Sequence, residues 1–322
     1  VDCTVEASRD GRVSQAAEQL VTDLLQRCVF PTPQSGVPQH LTCAVSGGPD
    51  STALLVLARA SSAKVTAVHI DHGLREGSCD EAQMVAELAA TYGAAFVSLS
   101  AVIDPGSDLE ARARAARHGV LPPDTLFGHT ADDQAETLMI RMMRGTGPTG
   151  LAGMRSPQHP LLGLRRAETE LLCTTLGIRP FLDPSNTDPR FVRNRVRHEV
   201  LPLLNQVSQR DVTPLLCRLA DLSAEQADLI AALAATEDAT DAQRLCALPA
   251  ALAAEVIRLW WLSSTDIGYP PNAASTARIL AVASGDAVSC QVGSGWSVRR
   301  SGGRLSLQCA AQQETATVEA HE

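Results

Sequence analysis

Little of this sequence is aromatic: Phe, Trp and Tyr together make up 3% of its 322 residues. Its cores must therefore be built from Leu, Val and Ala, and stacking partners for a planar ligand are scarce. Lysine is nearly missing, Lys64 being the only one. None of the nine cysteines (Cys3, Cys28, Cys43, Cys79, Cys173, Cys217, Cys246, Cys290, Cys309) forms a CxxC pair. An odd number also argues against a complete disulfide framework, so they read as reduced core fillers, with a redox or sulfur-carrying role the lesser alternative. No apolar run approaches the roughly 18 residues of a membrane span. The opening VDCTVEASRDGR lacks the basic start and apolar segment of a signal peptide. A cytoplasmic protein with no membrane partner is expected. No GxxxxGK[ST] is present either, which excludes a Walker-type phosphate loop.

What is present is unevenly placed. The length suits about two domains, and 45% apolar residues suffice for packed cores. A net charge of −9 argues against a generic nucleic-acid binder, yet residues 1–111 carry −8, residues 112–200 carry +4 and residues 201–322 carry −5. The basic middle is all arginine, whose planar fork suits phosphates and carboxylates. A codon bias toward Arg would explain the choice over Lys, but not the concentration in one segment.

The pattern along the chain alternates. A helix over about 14–27 and a Pro-rich connector precede LTCAV (41–45), a strand, and STALLVLARA (51–60), a helix. Strand KVTAVHI (64–70), helix 79–93, strand AAFVSLS (94–100) and helix 107–121 follow. Strand DTLFGH (124–129) and helix 132–145 complete the series. Such alternation predicts an α/β fold, a parallel sheet with helices on both faces. Helices at 165–176 and 190–206, an Ala- and Leu-rich helical region over 211–262 and another helix at 272–285 come next. Short strands over 287–309 and a polar tail end the chain.

Ligands in such sheets sit at the carboxyl ends of the strands. SGGPDS (46–51), HIDHGLR (69–75) and GHTADD (128–133) all fall there. In SGGPDS, glycines let the backbone approach an anion at a helix N-terminus, and Ser46 and Ser51 add hydroxyls. Alone it could equally be a tight turn with an N-cap; beside the other clusters, phosphate binding is favoured. Asp132, Asp133 and Glu136 open the next helix. Capping and dipole complementarity account for one or two acids there, but not for a third one turn later beside His129. Asp132 and Glu136 are four apart and share a face. Such carboxylates could hold Mg²⁺ or receive a cationic substrate. Arg190, Arg193 and Arg197 have the spacing of one helical face; the ordinary meaning is a solvated face, and phosphate contact is favoured by the adjacent site. Arg299, Arg300 and Arg304 with Trp296 form a second basic group, as readily ordinary surface.

SGGPDS resembles the SGGxDS loop of the PP-loop, N-type ATP pyrophosphatase superfamily, of adenine nucleotide α-hydrolase-like fold. With HIDHGLR, GHTADDQAET, RGTGPTGLAGM (144–154), HPLLGLRRAE (159–168) and FLDPSNTDPRFVRNRVRHEVLPLL (181–204), residues 40–205 resemble the tRNA(Ile)-lysidine synthetase family. Three positions depart from its pattern: Thr130 replaces a second histidine, His118 a tyrosine, and His159 an arginine.

The resemblance implies ATP as cofactor on Ser46, Gly47, Gly48, Pro49, Asp50, Ser51, His72, Gly128 and His129, with Mg²⁺ on Asp50 and Asp133. It implies catalytic roles for Asp50, Arg114, Asp132, Asp133 and Glu136. Free L-lysine would sit on Asp132 and Glu136, and Arg190, Arg193 and Arg197 would contact substrate phosphates. The partner would be an isoleucine tRNA with a CAU anticodon; a homodimer stays open. The implied layout is an N-terminal helix and linker (1–38), a catalytic ATP-binding domain (39–210), a helical tRNA-contacting domain ending in short strands (211–311) and a polar tail (312–322). The competing expectations are a PP-loop tRNA thiolase, which needs reactive cysteines or a metal cluster, and a nucleotide-binding regulator without catalysis.

Overall fold

The computed structural model describes residues 4–32, 39–71, 78–100, 119–155, 157–181 and 188–309. The chain forms two compact units, Val1–Leu222 and Ser223–Glu322.

The first unit is organised by three parallel strands, β1 (His40–Ala44), β2 (Lys64–Asp71) and β3 (Ala95–Ser100), in the order β1-β2-β3. Leu41, Thr42 and Cys43 are buried one after another, the pattern of a strand covered on both faces. DTLFGH, expected as a fourth strand, is reduced to one parallel bridge between Cys43 and Leu126. The Leu126 amide donates to the Thr42 carbonyl at 2.7 Å, and the Ala44 amide donates to the Leu126 carbonyl at 2.9 Å. Extension stops because Pro122 and Pro123 precede it, with no amide to give, and because the Phe127 amide turns to the Gln158 carbonyl at 2.8 Å. That single bridge still places Gly128 and His129 beside the end of β1.

α1 (Thr4–Leu25) begins earlier than the periodicity indicates. α2 (Pro49–Ala60) starts on a proline, whose missing amide and preset φ suit the first helical position. Residues Thr52 to Ala58 are all buried, so α2 is the hub of the core. Leu24, Leu161, Leu164 and Leu172 pack in the same cluster. α3 (Ser78–Thr91) covers the helix expected at 79–93. The helix expected at 107–121 lies outside the described residues except for its last three.

Then come α4 (Ala131–Met143), a short α5 (Pro148–Leu151) and α6 (Arg166–Thr175). α7 (Val192–Arg195) runs through a π-helical turn at Val196–Val200 into α8 (Leu201–Ser208). Pro202 at the start of α8 cannot donate a backbone hydrogen bond, and a π-turn is a local widening often found at functional sites.

α9 (Thr213–Ala234) carries the chain from the first unit into the second. The second unit contains α10 (Ala242–Ala247), α11 (Ala250–Ser264), α12 (Ala273–Ser284) and an antiparallel sheet of β4 (Ser289–Gly293), β5 (Trp296–Ser301) and β6 (Arg304–Cys309). Ile257, Ile279, Val282 and Val298 are fully buried in its core. Trp296, grouped with arginines in the sequence, instead packs edge-on against Trp261 with ring centroids 6.3 Å apart, and Arg304 pairs with Asp238 at 2.9 Å. Among the described residues, no helix is long and apolar enough to cross a membrane.

Leu57, fully buried in α2, tests the hub. Leu57→Ala is expected to cost about 2–5 kcal/mol, read as a lower denaturant midpoint; an unchanged midpoint would contradict this packing.

Candidate active site

β1 ends at Ala44 and α2 begins at Pro49, so the turn between them must be tight. Gly47 takes φ +83°, a region side-chain-bearing residues avoid, and a Cβ there would press on Met84 at 3.3 Å. The Ser51 hydroxyl accepts from the Ser46 amide at 3.2 Å and donates to the Gly48 carbonyl at 3.0 Å. The two serine hydroxyls lie 3.2 Å apart. The loop is thus closed on itself by its own serines. First-turn amides of a helix lack intrahelical acceptors, and the helix dipole adds positive potential, so this turn suits an anion. Gly128 passes so close that a Cβ would lie 2.6 Å from the Asp50 carbonyl oxygen. Only glycine lets the two segments meet there. Nearby, His69 is structural: it is buried and its Nδ1 lies 2.9 Å from the Val45 carbonyl.

The acids lie beside this loop. Asp133 caps α4: one oxygen accepts from the Thr130 amide at 2.8 Å and the Thr130 hydroxyl at 3.0 Å. Its other oxygen accepts from Arg166 at 2.9 Å and Arg193 at 3.0 Å. Glu136, 0% exposed, accepts from Arg193 Nε (2.7 Å), Arg197 Nε (2.7 Å), Arg197 Nη2 (3.1 Å) and Arg166 Nη1 (3.2 Å). Asp132 takes the Arg165 fork at 2.9 and 3.1 Å and the Arg166 amide at 2.8 Å. Asp50 accepts from the Thr169 hydroxyl, and its second oxygen lies 3.5 Å from Arg166 Nε. Arg166 therefore touches all four acids, three through separate guanidinium nitrogens and one through its amide.

Burial pushes the Asp50 carboxyl up to about 6, with Asp133 adding repulsion while Thr169 and Arg166 pull the other way. For Asp133 burial is again the largest single influence and upward, but Arg166, Arg193, His129 and the Thr130 amide together hold it at about 2. The two acids share one cation unequally, and this splits them. His129 sits against His159, ring centroids 4.9 Å apart and Nδ1 atoms 3.0 Å apart. One of these nitrogens must donate and the other accept.

Comparison with known proteins gives the setting. The PP-loop domain family matches residues 17–204, and the TilS substrate binding domain family matches residues 241–306. The tRNA(Ile)-lysidine synthase of Mycolicibacterium paratuberculosis is 40% identical over 257 residues, covering 74% of this chain and 79% of that protein. The chain belongs to the tRNA(Ile)-lysidine synthase family. The Nocardia farcinica member of that family is also 40% identical, over 71% of this chain and 77% of its own. Among solved structures, a U34-tRNA thiolase from Methanococcus maripaludis is similar at 16% identity with a TM-score of 0.49, covering 65% of this chain and 78% of its own.

Within this lysidine synthase family member, the expected residues separate into groups. Ser46 to Ser51 and Gly128 form the loop; Asp50, Asp132, Asp133 and Glu136 form the acid cluster, joined by Arg193 and Arg197. Arg190 does not join them. It precedes α7, is 86% exposed and pairs with Asp188 at 2.6 Å, because the helix starts only at Val192. Arg193 and Arg197 are given to buried carboxylates rather than to an open face. His72 and Arg114 lie outside the described residues. Arg165, Arg166 and Thr169 were not expected; their one sequence signal is RRAET, an arginine pair opening a helix with a hydroxyl three residues after the second arginine.

The loop fits the phosphates of ATP by its geometry. The Mg²⁺ expectation fits less well. Both Asp133 oxygens are committed to hydrogen bonds, so of the pair only Asp50 keeps an oxygen without one. Among the described residues, no group of three or more His, Cys, Asp or Glu side chains is placed to hold a metal.

Two measurements test this cluster. Glu136→Leu takes a buried partner from three arginines, leaving Arg197 with Asp133 3.7 Å away, and is expected to cost about 3–5 kcal/mol, read by denaturation; a neutral result would contradict the buried ion cluster. Asp50 titrates near 6 when folded and near 3.8 when unfolded, so between these values the folded state binds more protons. Its contribution to stability is therefore full below about pH 4 and falls as pH rises toward 6. Asp50→Asn should gain stability relative to the parent across that window, by up to about 3 kcal/mol. A pH-independent difference in melting temperature would refute it.

Proposed function

We propose that this chain joins free L-lysine to the wobble cytidine of a CAU-anticodon isoleucine tRNA at the expense of ATP. The observation that carries this reading is an anion-binding loop adjoining a cluster of four acids, in a chain 40% identical to tRNA(Ile)-lysidine synthases.

ATP is the substrate whose phosphates the loop would hold, with Gly128 and His129 alongside. The cytosine O2 attacks the α-phosphorus, and pyrophosphate leaves with the bond to the β-phosphate. The lysine ε-amine, after losing a proton, attacks ring carbon 2, and the carbon–oxygen bond breaks to release AMP. The first step builds negative charge on phosphate oxygens, which loop amides and arginines offset. Arg114 and Arg197 are the proposed arginines, with Arg193 beside the latter. The second step needs an ammonium held by carboxylates and then deprotonated; Asp132, Asp133 and Glu136 are the proposed acids. Asp50 faces the α-phosphate region. The 211–311 segment would contact the tRNA.

The thiolase reading loses support at the cysteines nearest the loop. Burial pushes the Cys43 thiol up to about 12 and the Cys173 thiol up to about 11. Cys173 Sγ points at the Pro49 carbonyl, 3.7 Å away. Thiols so protonated are poor nucleophiles.

Pyrophosphate release with ATP, Mg²⁺, lysine and the CAU-anticodon tRNA, together with labelled lysine incorporation into the tRNA, tests the reading. Both are expected from the parent, with a fall of at least about 100-fold on Asp50→Ala, a range typical of lost electrostatic stabilisation. Absence of tRNA-dependent release, or incorporation of sulfur in place of lysine, would overturn it.

A further inference from the structure

The acid cluster poses a difficulty for a cationic substrate. Every oxygen of Asp132, Asp133 and Glu136 already accepts a hydrogen bond. Glu136 is wholly buried under Arg166, Arg193 and Arg197. An ammonium can reach it only if a guanidinium leaves. If the Arg166 guanidinium moves off, Arg193 and Arg197 stay on Glu136, but the four acids keep only three of the arginines described around them, a deficit of one cation at a buried site. A lysine ammonium makes good that deficit, cation for cation.

The three arginines are not equivalent candidates. Arg193 and Arg197 each hold Glu136 at 2.7 Å, and neither pairs with Asp50. Arg166 makes the longest of the Glu136 hydrogen bonds, 3.2 Å, and its Nε is 3.5 Å from Asp50 in the first turn of α2. Among the described residues it alone spans from the anion-binding turn to Asp133 and Glu136. Its own helix is anchored independently of these contacts: Leu172 and Cys173 are buried, and Glu168, which accepts from the Arg165 amide at 2.7 Å, also pairs with Arg27. The guanidinium can thus swing while its backbone stays fixed.

We propose that Arg166 couples the two small substrates: polyphosphate bound at residues 46–51 draws its guanidinium off Glu136 and Asp133, and the lysine ammonium takes the vacated place. This rests on the activity proposed above. It makes lysine binding conditional on nucleotide, so that lysine does not fill the site of an enzyme with nothing to ligate. By linkage, lysine must tighten nucleotide binding by the same factor.

The test is calorimetric titration of the full chain with L-lysine, with and without α,β-methylene-ATP, which cannot be cleaved between the α and β phosphates. Lysine is expected to bind at least about 10-fold more tightly with the analogue, within the usual range of such coupling. L-Norleucine, which lacks the side-chain ammonium, should show no such gain. Arg166→Lys keeps a cation but not the three-way fork; it should still bind the analogue while the coupling falls below about twofold. A merely structural role would weaken both ligands and leave their coupling intact. A melting curve confirms that the variant is folded; should it not be, the parent titration with lysine and norleucine decides alone. Equal lysine affinity with and without the analogue, binding in neither state, or full coupling in folded Arg166→Lys would overturn the proposal. If the parent incorporates lysine into tRNA yet shows no coupling, the activity stands and the coupling falls. If it incorporates none, the activity reading itself falls.

Discussion

Four acids depend on one residue. Asp50, Asp133 and Glu136 each meet a different nitrogen of the Arg166 guanidinium, and Asp132 meets its backbone amide. Carboxylates so buried are tolerable only with cations and donors in place. Arg193, Arg197 and Arg165 add to the compensation, but none of them pairs with Asp50. Arg166 joins the acid-bearing start of α4 to the first turn of α2. Without it Asp50 would keep the Thr169 hydroxyl but, among the described residues, face Asp133 with no cation between them.

The start of α6 is correspondingly well fixed. Glu168 closes a capping arrangement on the Arg165 amide and also pairs with Arg27 in the turn after α1. Arg27 Nη2 in turn donates to the Gly163 carbonyl at 2.6 Å, and a Cβ on Gly163 would collide with the Arg27 carbonyl at 2.5 Å. The turn that follows α1 thus braces the start of the helix whose Arg166 neutralises the acids. The hydrophobic face of α6 is sealed against α2 through Leu172 and Cys173. Packing fixes the helix and charge uses the end of it.

The sheet and its helices were legible because their signals are local. Strand runs such as LTCAV are apolar on both faces, and α2 is buried over seven consecutive residues. The loop was legible because a positive φ and a close approach admit only glycine, at Gly47 and Gly128. DTLFGH misled because its composition is strand-like, while what ended the pairing was a pair of prolines upstream and a competing acceptor at Gln158. Arg190 misled because three- and four-residue spacing presupposes a helix that in fact starts two residues later. Arg166 was not legible at all as a site residue. Its partners lie 30 to 116 positions away, and nothing in RRAET says which of the two arginines turns inward.

Charge counting left open what the basic stretch holds. The +4 of residues 112–200 suits phosphates and carboxylates alike, and Arg165, Arg166, Arg193 and Arg197 pair with carboxylates within the first unit. Of the exposed arginines in the same stretch, Arg190 and Arg195 are also paired, with Asp188 and Glu199, and Arg144, Arg155 and Arg179 are exposed as well. The two kinds of pair are not equal. Exposed pairs contribute little and give way readily to a phosphate, whereas moving a buried arginine leaves a buried carboxylate short of a cation. A nucleic acid can therefore recruit Arg190 and Arg195 at small cost. The inner arginines answer only to a ligand that brings its own anion to the loop and its own cation to Glu136, as ATP and lysine together would.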